Sequence, residues 1–291
     1  GGAGIIVWFS TGVSVSNLVV ENDQGKGMTV VGSEVVISDS VFQDTNGYGL
    51  QGNQSSLFFL GEVELLNNRF EGLLLSFGSR LTSPAAIRAI GNGEHGIALG
   101  EHSSATLYSV EVTDNVSDGI SVGRGSVLVL GDVEVSNNRN GMMAMNGGQI
   151  HVAEEGGVAH VHDNTLTGLS ATDGGFFEFW GTVEDNGTDG VYLHGSSATF
   201  HDVTIQGNTP DVNLLFGSRV DFEGDNHVNE VVCDGTVLVE GDVSCVPNLE
   251  GEWSVYIEEI CLPGGFGAGP GTLIITDQFG GTFEGHSAGG A

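Results

Sequence analysis

The residues whose types could support chemistry are carboxylates and histidines that recur at nearly constant spacing in the middle of the chain. They are Glu111, Glu134, His160, His162 and Glu184, with Asp185 beside the last of them. Two carboxylates a few ångströms apart can act as acid and base in glycoside hydrolysis. Histidine and glutamate together can instead hold a divalent ion. Residues this far apart in the sequence can meet only if a repeating structure stacks them.

An asparagine recurs on the same period and organises most of the chain. The series comprises Asn68, Asn92, Asn115, Asn138, Asn164, Asn186 and Asn208. A glycine follows each of the first six within five positions, and a short apolar run follows that glycine. Asn22 and Asp44 extend the series toward the start of the chain. Repeats of this length indicate a solenoid, in which each turn contacts only its neighbours.

Each repeat contains three short runs in which apolar and other residues alternate. In the turn that starts at Gly119, the apolar positions are Ile120/Val122, Val127/Val129 and Val133/Val135. Alternation of period two predicts strands with one face toward a core, and no segment keeps the apolar period of a helix. Three strands per turn, each paired in parallel with its equivalent ~4.8 Å away, describe a β-helix of about ten turns.

This architecture predicts which side chains stack on one another. Two interior rows are expected, Ile97, Ile120, Met142, Leu169 and Val191 in one, and Val112, Val135, Val161, Val183 and Ile205 in the other. Glu111, Glu134 and His160 fall in one outward row of the third strand, and His162 and Glu184 fall in the next outward row. Stacking therefore places the five on one face. The alternative interpretation is a solvated face of an acidic protein.

The asparagines fit the tight corner after the third strand. Asparagine tolerates left-handed backbone geometry, and its amide can bond the amides in the turns above and below. The glycine that follows is expected to occupy a position that has a positive φ or is too crowded for a side chain. A separate aromatic candidate is Tyr192, which is expected to point outward and could contact a sugar ring, with His162 as a second substrate-binding candidate.

The repeated turns, N-x-x-x-G followed by alternating apolar residues, resemble the right-handed parallel β-helix superfamily with the pectate-lyase-like fold. Polysaccharide lyases, hydrolases, epimerases, phage tailspikes and bacterial surface proteins share that fold. The resemblance covers about residues 4–247 and implies an all-β, right-handed parallel β-helix solenoid. It carries little functional weight, because function depends on sites added to such a scaffold.

The motifs of the superfamily's familiar enzymes are missing. The sequence contains no D-D, G-H-G, R-x-K or D-P-H-D, and its seven basic residues are scattered at most one per turn. The resemblance therefore implies a secreted or cell-surface module with a structural, adhesive or glycan-contacting role. The alternative is a polysaccharide hydrolase or lyase that takes its acids from Glu111, Glu134, Glu184 and Asp185, with His160 as helper. A spacer between other domains is a third possibility.

The regular repeat ends after Asn208, and the end of the chain differs in character. Cys233 and Cys245 bracket one more turn and are expected to form a structural disulfide. After Pro247 the sequence resembles the opening of a small antiparallel β-domain with about three strands, which we expect to be truncated. The predicted division is a β-helix over 1–247 and a partial β-domain or cap over 248–291.

The charge balance restricts the partners. There are 38 acidic residues and seven Lys or Arg, which gives a net charge of −31. This argues against nucleic acid, because nucleic-acid affinity depends on neutralising phosphates. No apolar stretch approaches the ~20 residues that span a bilayer. We expect an extracellular or cell-surface protein that contacts polysaccharide or another surface component, with no cofactor apart from loosely bound calcium.

Overall fold

A computed structural model of the chain describes residues 2–21, 24–152, 158–234, 236–241, 243, 246–247, 251–262, 265–279 and 282–288. All regular elements in these residues are β-strands. The chain winds as a parallel β-solenoid of about ten turns, which confirms the predicted fold class. In the part of the chain so described, no helix is long and apolar enough to cross a membrane.

The first strands of successive turns form one parallel sheet of twelve strands. In order they are Ala3–Trp8, Lys26–Val31, Leu50–Asn53, Leu73–Ser76, Ile97–Leu99, Asp118–Gly123, Asn140–Met145, Leu169–Thr172, Val191–His194, Val212–Leu215, Val231–Cys233 and Val246–Pro247. Each strand pairs with the equivalent strand of the next turn, so one position in every turn lies in one row.

The second and third strands form a second parallel sheet of sixteen strands. They are Val13–Ser16, Val19–Glu21, Glu34–Ser38, Ser40–Gln43, Ser56–Phe59, Val63–Leu66, Arg80–Ile90, Ser104–Thr113, Val127–Ser136, Gln149–Val152, Ala159–His162, Phe176–Glu184, Ser197–Gln206, Arg219–Glu223, His227–Val228 and Leu238–Gly241. In five turns a single long strand replaces the two predicted strands, because pairing with the neighbouring turns continues through the residues between them.

The residues after Pro247 form a separate antiparallel sheet of three strands, Gly251–Leu262, Gly265–Phe279 and Thr282–Ala288. The number of strands agrees with the sequence. Within the solenoid, Cys233 is disulfide-bonded. Cys245 lies outside the described residues, so the pairing of these two cysteines stays a prediction.

The two predicted interior rows are confirmed, and all ten of their side chains are fully buried. One prediction about the second strand is wrong. Leu128 and Leu130 fill the core, whereas Val127 and Val129 face outward. Because four consecutive residues are apolar here, the sequence alone does not indicate which of them face the core. At Gly131 and Asp132 two consecutive residues lie outside, and this shifts the alternation between the second strand and the third.

The asparagines form a buried hydrogen-bond ladder along the solenoid axis, as predicted. Each side-chain Nδ2 donates to the Oδ1 of the asparagine one turn on, over 2.9 to 3.2 Å. Thr45 begins the ladder through its hydroxyl, 2.8 Å from Asn68 Oδ1, and Asp211 ends it by accepting from Asn208 at 3.2 Å. Thr45 therefore holds the position that was predicted for Asp44. Asn22 lies outside the described residues.

The left-handed position of the corner is not the ladder asparagine, which corrects the prediction. The residue before it has the positive φ, for example 59° at Asp114, 55° at Asn137 and 51° at Asp163. The glycine after the asparagine is crowded rather than left-handed. A Cβ on Gly141 would lie 2.5 Å from the carbonyl oxygen of Gly168 in the next turn. Adjacent turns therefore approach more closely at this corner than a side chain would allow.

A row of serines at the corner between the first and second strands, not predicted from the sequence, adds a second buried polar contact between turns. The backbone N–H of Ser55 donates to Ser79 Oγ at 3.2 Å, and that of Ser103 donates to Ser126 Oγ at 3.1 Å. Of the two polar rows, the asparagine ladder is the one that links the turns carrying Glu134, His160 and Glu184.

Candidate functional site

The parallel register confirms the two outward rows of the third strand. Glu111 pairs with Glu134, and Glu134 pairs with His160. In the neighbouring row, Ser136 pairs with His162, and His162 pairs with Glu184. Four of the predicted residues thus lie side by side on three consecutive turns.

Glu134 is the centre of this group, because each of its two oxygens faces one imidazole. Its Oε2 lies 3.3 Å from His160 Nδ1, and its Oε1 is hydrogen-bonded to His162 Nε2. The two rings stack with their centroids 4.1 Å apart. The donor atoms of these three residues lie within 4.8 Å of one another. Among the residues that the structure describes, no other His, Cys, Asp or Glu group of three or more meets this criterion.

The outer nitrogen of each imidazole also meets a carboxylate. His160 Nε2 lies 2.8 Å from Glu184 Oε1, and His162 Nδ1 lies 2.7 Å from Asp163 Oδ2. Glu184 is held in turn by Gln206, whose Nε2 donates to Glu184 Oε2 at 3.0 Å. Asp163 and Gln206 were not predicted as site residues. Asp163 is a corner residue, and only its adjacency to His162 in the sequence could have indicated its role.

The electrostatics follow from these contacts. Partial burial alone would lower the pKa of His162, but hydrogen bonds to Glu134 and Asp163 outweigh it and raise that pKa. Hydrogen bonds from Gln206 and then His160 lower the pKa of Glu184. Because acceptance from two neighbours favours the charged carboxylate, Glu184 is poorly suited to donate a proton as a general acid.

The other predicted residues do not join the cluster. Glu111 is engaged by Arg88, whose Nε lies 2.8 Å from Glu111 Oε2. Asp185 is exposed at the left-handed corner, with a φ of 52°. Tyr192 belongs to the first sheet, where its ring lies 6.5 Å from that of His194. The structure therefore places the sugar-contact candidate Tyr192 on a different face from Glu134.

A groove runs beside the cluster and shares two residues with it. It has a volume of about 470 Å³ and is lined by Ser109, Val110, Glu111, Asp132, Val133, Glu134, Val158 and His160. Tyr108, which is next to the lining residue Ser109 in the chain, is 57% exposed. The groove is thus lined by carboxylates, and an exposed aromatic residue directly precedes one of its lining residues in the chain.

A second histidine–carboxylate arrangement lies on the outward face of the second strand. Glu178 Oε2 is 2.8 Å from His151 Nδ1, and Glu178 Oε1 is 3.8 Å from His201 Nε2. The ring of His201 stacks on Trp180, with centroids 3.9 Å apart. His151 and His201 lie on opposite sides of the Glu178 carboxylate. They therefore do not converge on a common point as His160 and His162 do.

The donor set of the cluster fits a transition-metal ion. Imidazole nitrogen and carboxylate oxygen bind copper, zinc and nickel, and each has bond lengths near 2 Å to such ions. Calcium takes oxygen ligands and would leave both histidines unused. Thiolate or thioether ligands, which favour Cu(I), are absent from the group. Glu134, His160 and His162 are therefore suited to an ion such as Cu(II).

Known structures with a similar fold are also parallel β-helices. The A-modules of the mannuronan C-5 epimerases AlgE6 and AlgE4 of Azotobacter vinelandii are 12% and 14% identical, with TM-scores of 0.44 and 0.43. Both alignments cover 84% of this chain, and they cover 87% and 89% of the respective modules. The receptor-binding domain of the Siphovirus 9NA tailspike is 11% identical, with a TM-score of 0.38 over 96% of this chain and 83% of that domain.

No curated protein sequence matches the chain at a significant level. Residues 1–172, more than half of the chain, match the family described as "Periplasmic copper-binding protein (NosD)". That segment contains the asparagine ladder from Asn68 to Asn164 and all three residues of the cluster. The chain therefore belongs to the NosD family.

Proposed function

We propose that this protein is an exported β-solenoid that binds a Cu(II) ion through Glu134, His160 and His162. The observation that carries the proposal is the convergence of His160 Nδ1 and His162 Nε2 on the two oxygens of one carboxylate. The family is described as periplasmic and copper-binding, which supports both the choice of metal and an extracytoplasmic location. The disulfide at Cys233 also favours an oxidising compartment.

Each residue has a distinct part in holding the ion. His160 and His162 supply nitrogen donors from one strand, and Glu134 supplies an oxygen donor from the turn before. The bound ion would supply positive charge and Lewis acidity on an otherwise acidic face. The side chains of His160 and Glu134 are 36% and 44% exposed, so an ion can enter from solvent without unfolding the solenoid.

Copper titration of the purified chain tests this proposal. We expect one saturable Cu(II) site by calorimetry and electron paramagnetic resonance, with Cu(II) bound more tightly than Ni(II) or Zn(II), as the ordinary order of divalent affinities requires. The double variant His160→Ala/His162→Ala should lose at least about 100-fold in affinity, because loss of an outer partner alone costs roughly 10- to 100-fold.

His151→Ala is the matched control, because His151 also pairs with a glutamate at 2.8 Å but lies outside the cluster. It should keep the affinity of the wild type, and thermal unfolding should show that all variants remain folded. A wild-type chain without a saturable site, or a double variant with undiminished affinity, contradicts the proposal.

A second candidate function is contact with a glycan, which the groove beside Tyr108 favours. Carboxylates of the lining can accept hydrogen bonds from sugar hydroxyls, and an exposed aromatic ring can cover an apolar sugar face. We favour binding over catalysis. Of the two groove glutamates that could form an acid–base pair, Glu111 is already engaged by Arg88. The function is then that of a surface module, structural or adhesive, rather than of a hydrolase or lyase.

Binding to a panel of neutral, cationic and anionic polysaccharides tests the glycan function. Tyr108→Ala should weaken binding of neutral or cationic polymers about 2- to 10-fold, if the ring contributes as much as it does in an aromatic pair, roughly 0.5–1.5 kcal/mol. Phe77→Ala is the control, because Phe77 is equally exposed, at 57%, on a different corner. New reducing ends or unsaturated products that disappear in Glu134→Gln would instead establish the enzymatic alternative.

A further inference from the structure

We infer that Asp163 and Glu184 are positioning residues that fix which nitrogen each histidine presents to the metal. The inference rests on the proposed function and extends it to residues outside the ligand set. Asp163 fixes His162 so that Nε2 faces the metal, and Glu184 fixes His160 so that Nδ1 does.

The two histidines use their ring nitrogens in opposite ways. His160 has Nδ1 toward Glu134 at 3.3 Å and Nε2 toward Glu184 at 2.8 Å. His162 has the reverse arrangement, with Nε2 toward Glu134 and Nδ1 toward Asp163 at 2.7 Å. An imidazole that donates one N–H to a carboxylate keeps a fixed ring orientation, and its other nitrogen can bind an ion once that nitrogen has lost its own proton. Each histidine is therefore already turned for ligation.

The outer carboxylates are themselves held in place. Asp163 occupies the left-handed corner directly after His162, with a φ of 51°, and this corner recurs in every turn of the asparagine ladder. Glu184 lies one turn on, and Gln206 of the following turn donates to its second oxygen at 3.0 Å. Neither carboxylate depends on a metal for its position.

The competing explanation is that these contacts are ordinary surface ion pairs, which contribute little and position nothing. The pair His151 and Glu178 offers a direct comparison. It has the same 2.8 Å separation, but among the residues that the structure describes the other nitrogen of His151 meets Gln149, at 3.3 Å, rather than a second carboxylate. If the outer carboxylates of the cluster are positioning residues, their loss should affect metal binding and the loss of Glu178 should not.

The test measures Cu(II) affinity in Asp163→Asn and Glu184→Gln, with Glu178→Gln as the control. We expect each cluster variant to lose about 10- to 100-fold in affinity while it still binds one ion. The control should bind as the wild type does. Unchanged thermal unfolding in all three variants would exclude a general loss of structure.

A second readout reports the ligating atoms directly. In the zinc-loaded chain, which is diamagnetic, nitrogen-15 NMR of the histidine rings should show His160 ligated through Nδ1 and His162 through Nε2. In Glu184→Gln, a fraction of His160 should change to ligation through Nε2, which a purely structural role of Glu184 would not produce.

The outcomes separate the two proposals. A wild-type chain that binds no metal overturns the proposed function and this inference with it. A wild-type chain that binds metal, with Asp163→Asn and Glu184→Gln that bind it equally tightly through the same nitrogens, overturns this inference alone.

Discussion

Replacement of Gly141 with alanine is expected to destabilise the solenoid by about 3 kcal/mol or more. The added Cβ would lie 2.5 Å from Gly168 O, 2.6 Å from Val161 Cγ1 and 3.0 Å from Asn164 Nδ2. The first of these atoms belongs to the backbone of the next turn and cannot rotate away. The two turns must therefore separate at the corner, which weakens the strand pairing and the asparagine ladder together.

Gly100→Ala is the matched control for this prediction, because a Cβ there would have no heavy atom of the described residues within 4 Å. Urea denaturation monitored by circular dichroism should show a large fall in midpoint for Gly141→Ala and little change for Gly100→Ala. Equal midpoints for the two variants would mean that the close approach of the turns is not a requirement of the fold.

Replacement of Asn138 with alanine is expected to cost about 3–5 kcal/mol, because it removes several buried hydrogen bonds at once. Asn138 Nδ2 donates to Val112 O, Ser136 O and Asn164 Oδ1, and its Oδ1 accepts from both the N and the Nδ2 of Asn115. Alanine would leave these partners buried without a replacement, and each such group costs roughly 1–3 kcal/mol.

An exposed asparagine provides the comparison. Asn46 lies on the surface and accepts one hydrogen bond, from Arg69, so Asn46→Ala should change the free energy of unfolding by at most about 0.5 kcal/mol. Chemical denaturation of both variants measures the difference. Similar losses in the two proteins would show that the ladder contributes no more than a surface contact.

The rows of the site could be predicted because parallel, in-register stacking converts a sequence period into a position in space. Once Glu134 and His160 are assigned to the same place in successive turns, their neighbourhood follows from the strand spacing. In the same way, the period predicts His162 beside Glu184. It also predicts Ile120 and Val135 in the interior, where both are buried.

What could not be predicted depends on backbone details that the period does not contain. Gly131 and Asp132 both lie outward in succession, so the part of the strand before them, with Leu128 inward, has the opposite phase to the one expected. The left-handed residue is one position before the ladder asparagine. This position orients Asp163 toward His162, and it explains why the outer carboxylate of that histidine was not identified from the sequence.

Every turn of the ladder has the same corner, with a left-handed residue before the asparagine. Whole turns are therefore interchangeable as far as the fold is concerned. They are not interchangeable for the proposed site, because its residues come from particular turns. Duplication of a complete turn before Glu111 would move the cluster ~4.8 Å along the axis and leave its ligands in contact. The same duplication between Glu134 and His160 would divide the ligand set. A duplication before Glu111 would therefore lengthen the solenoid without disturbing the proposed site, whereas that site requires the turns from Glu134 to Gln206 to stay consecutive.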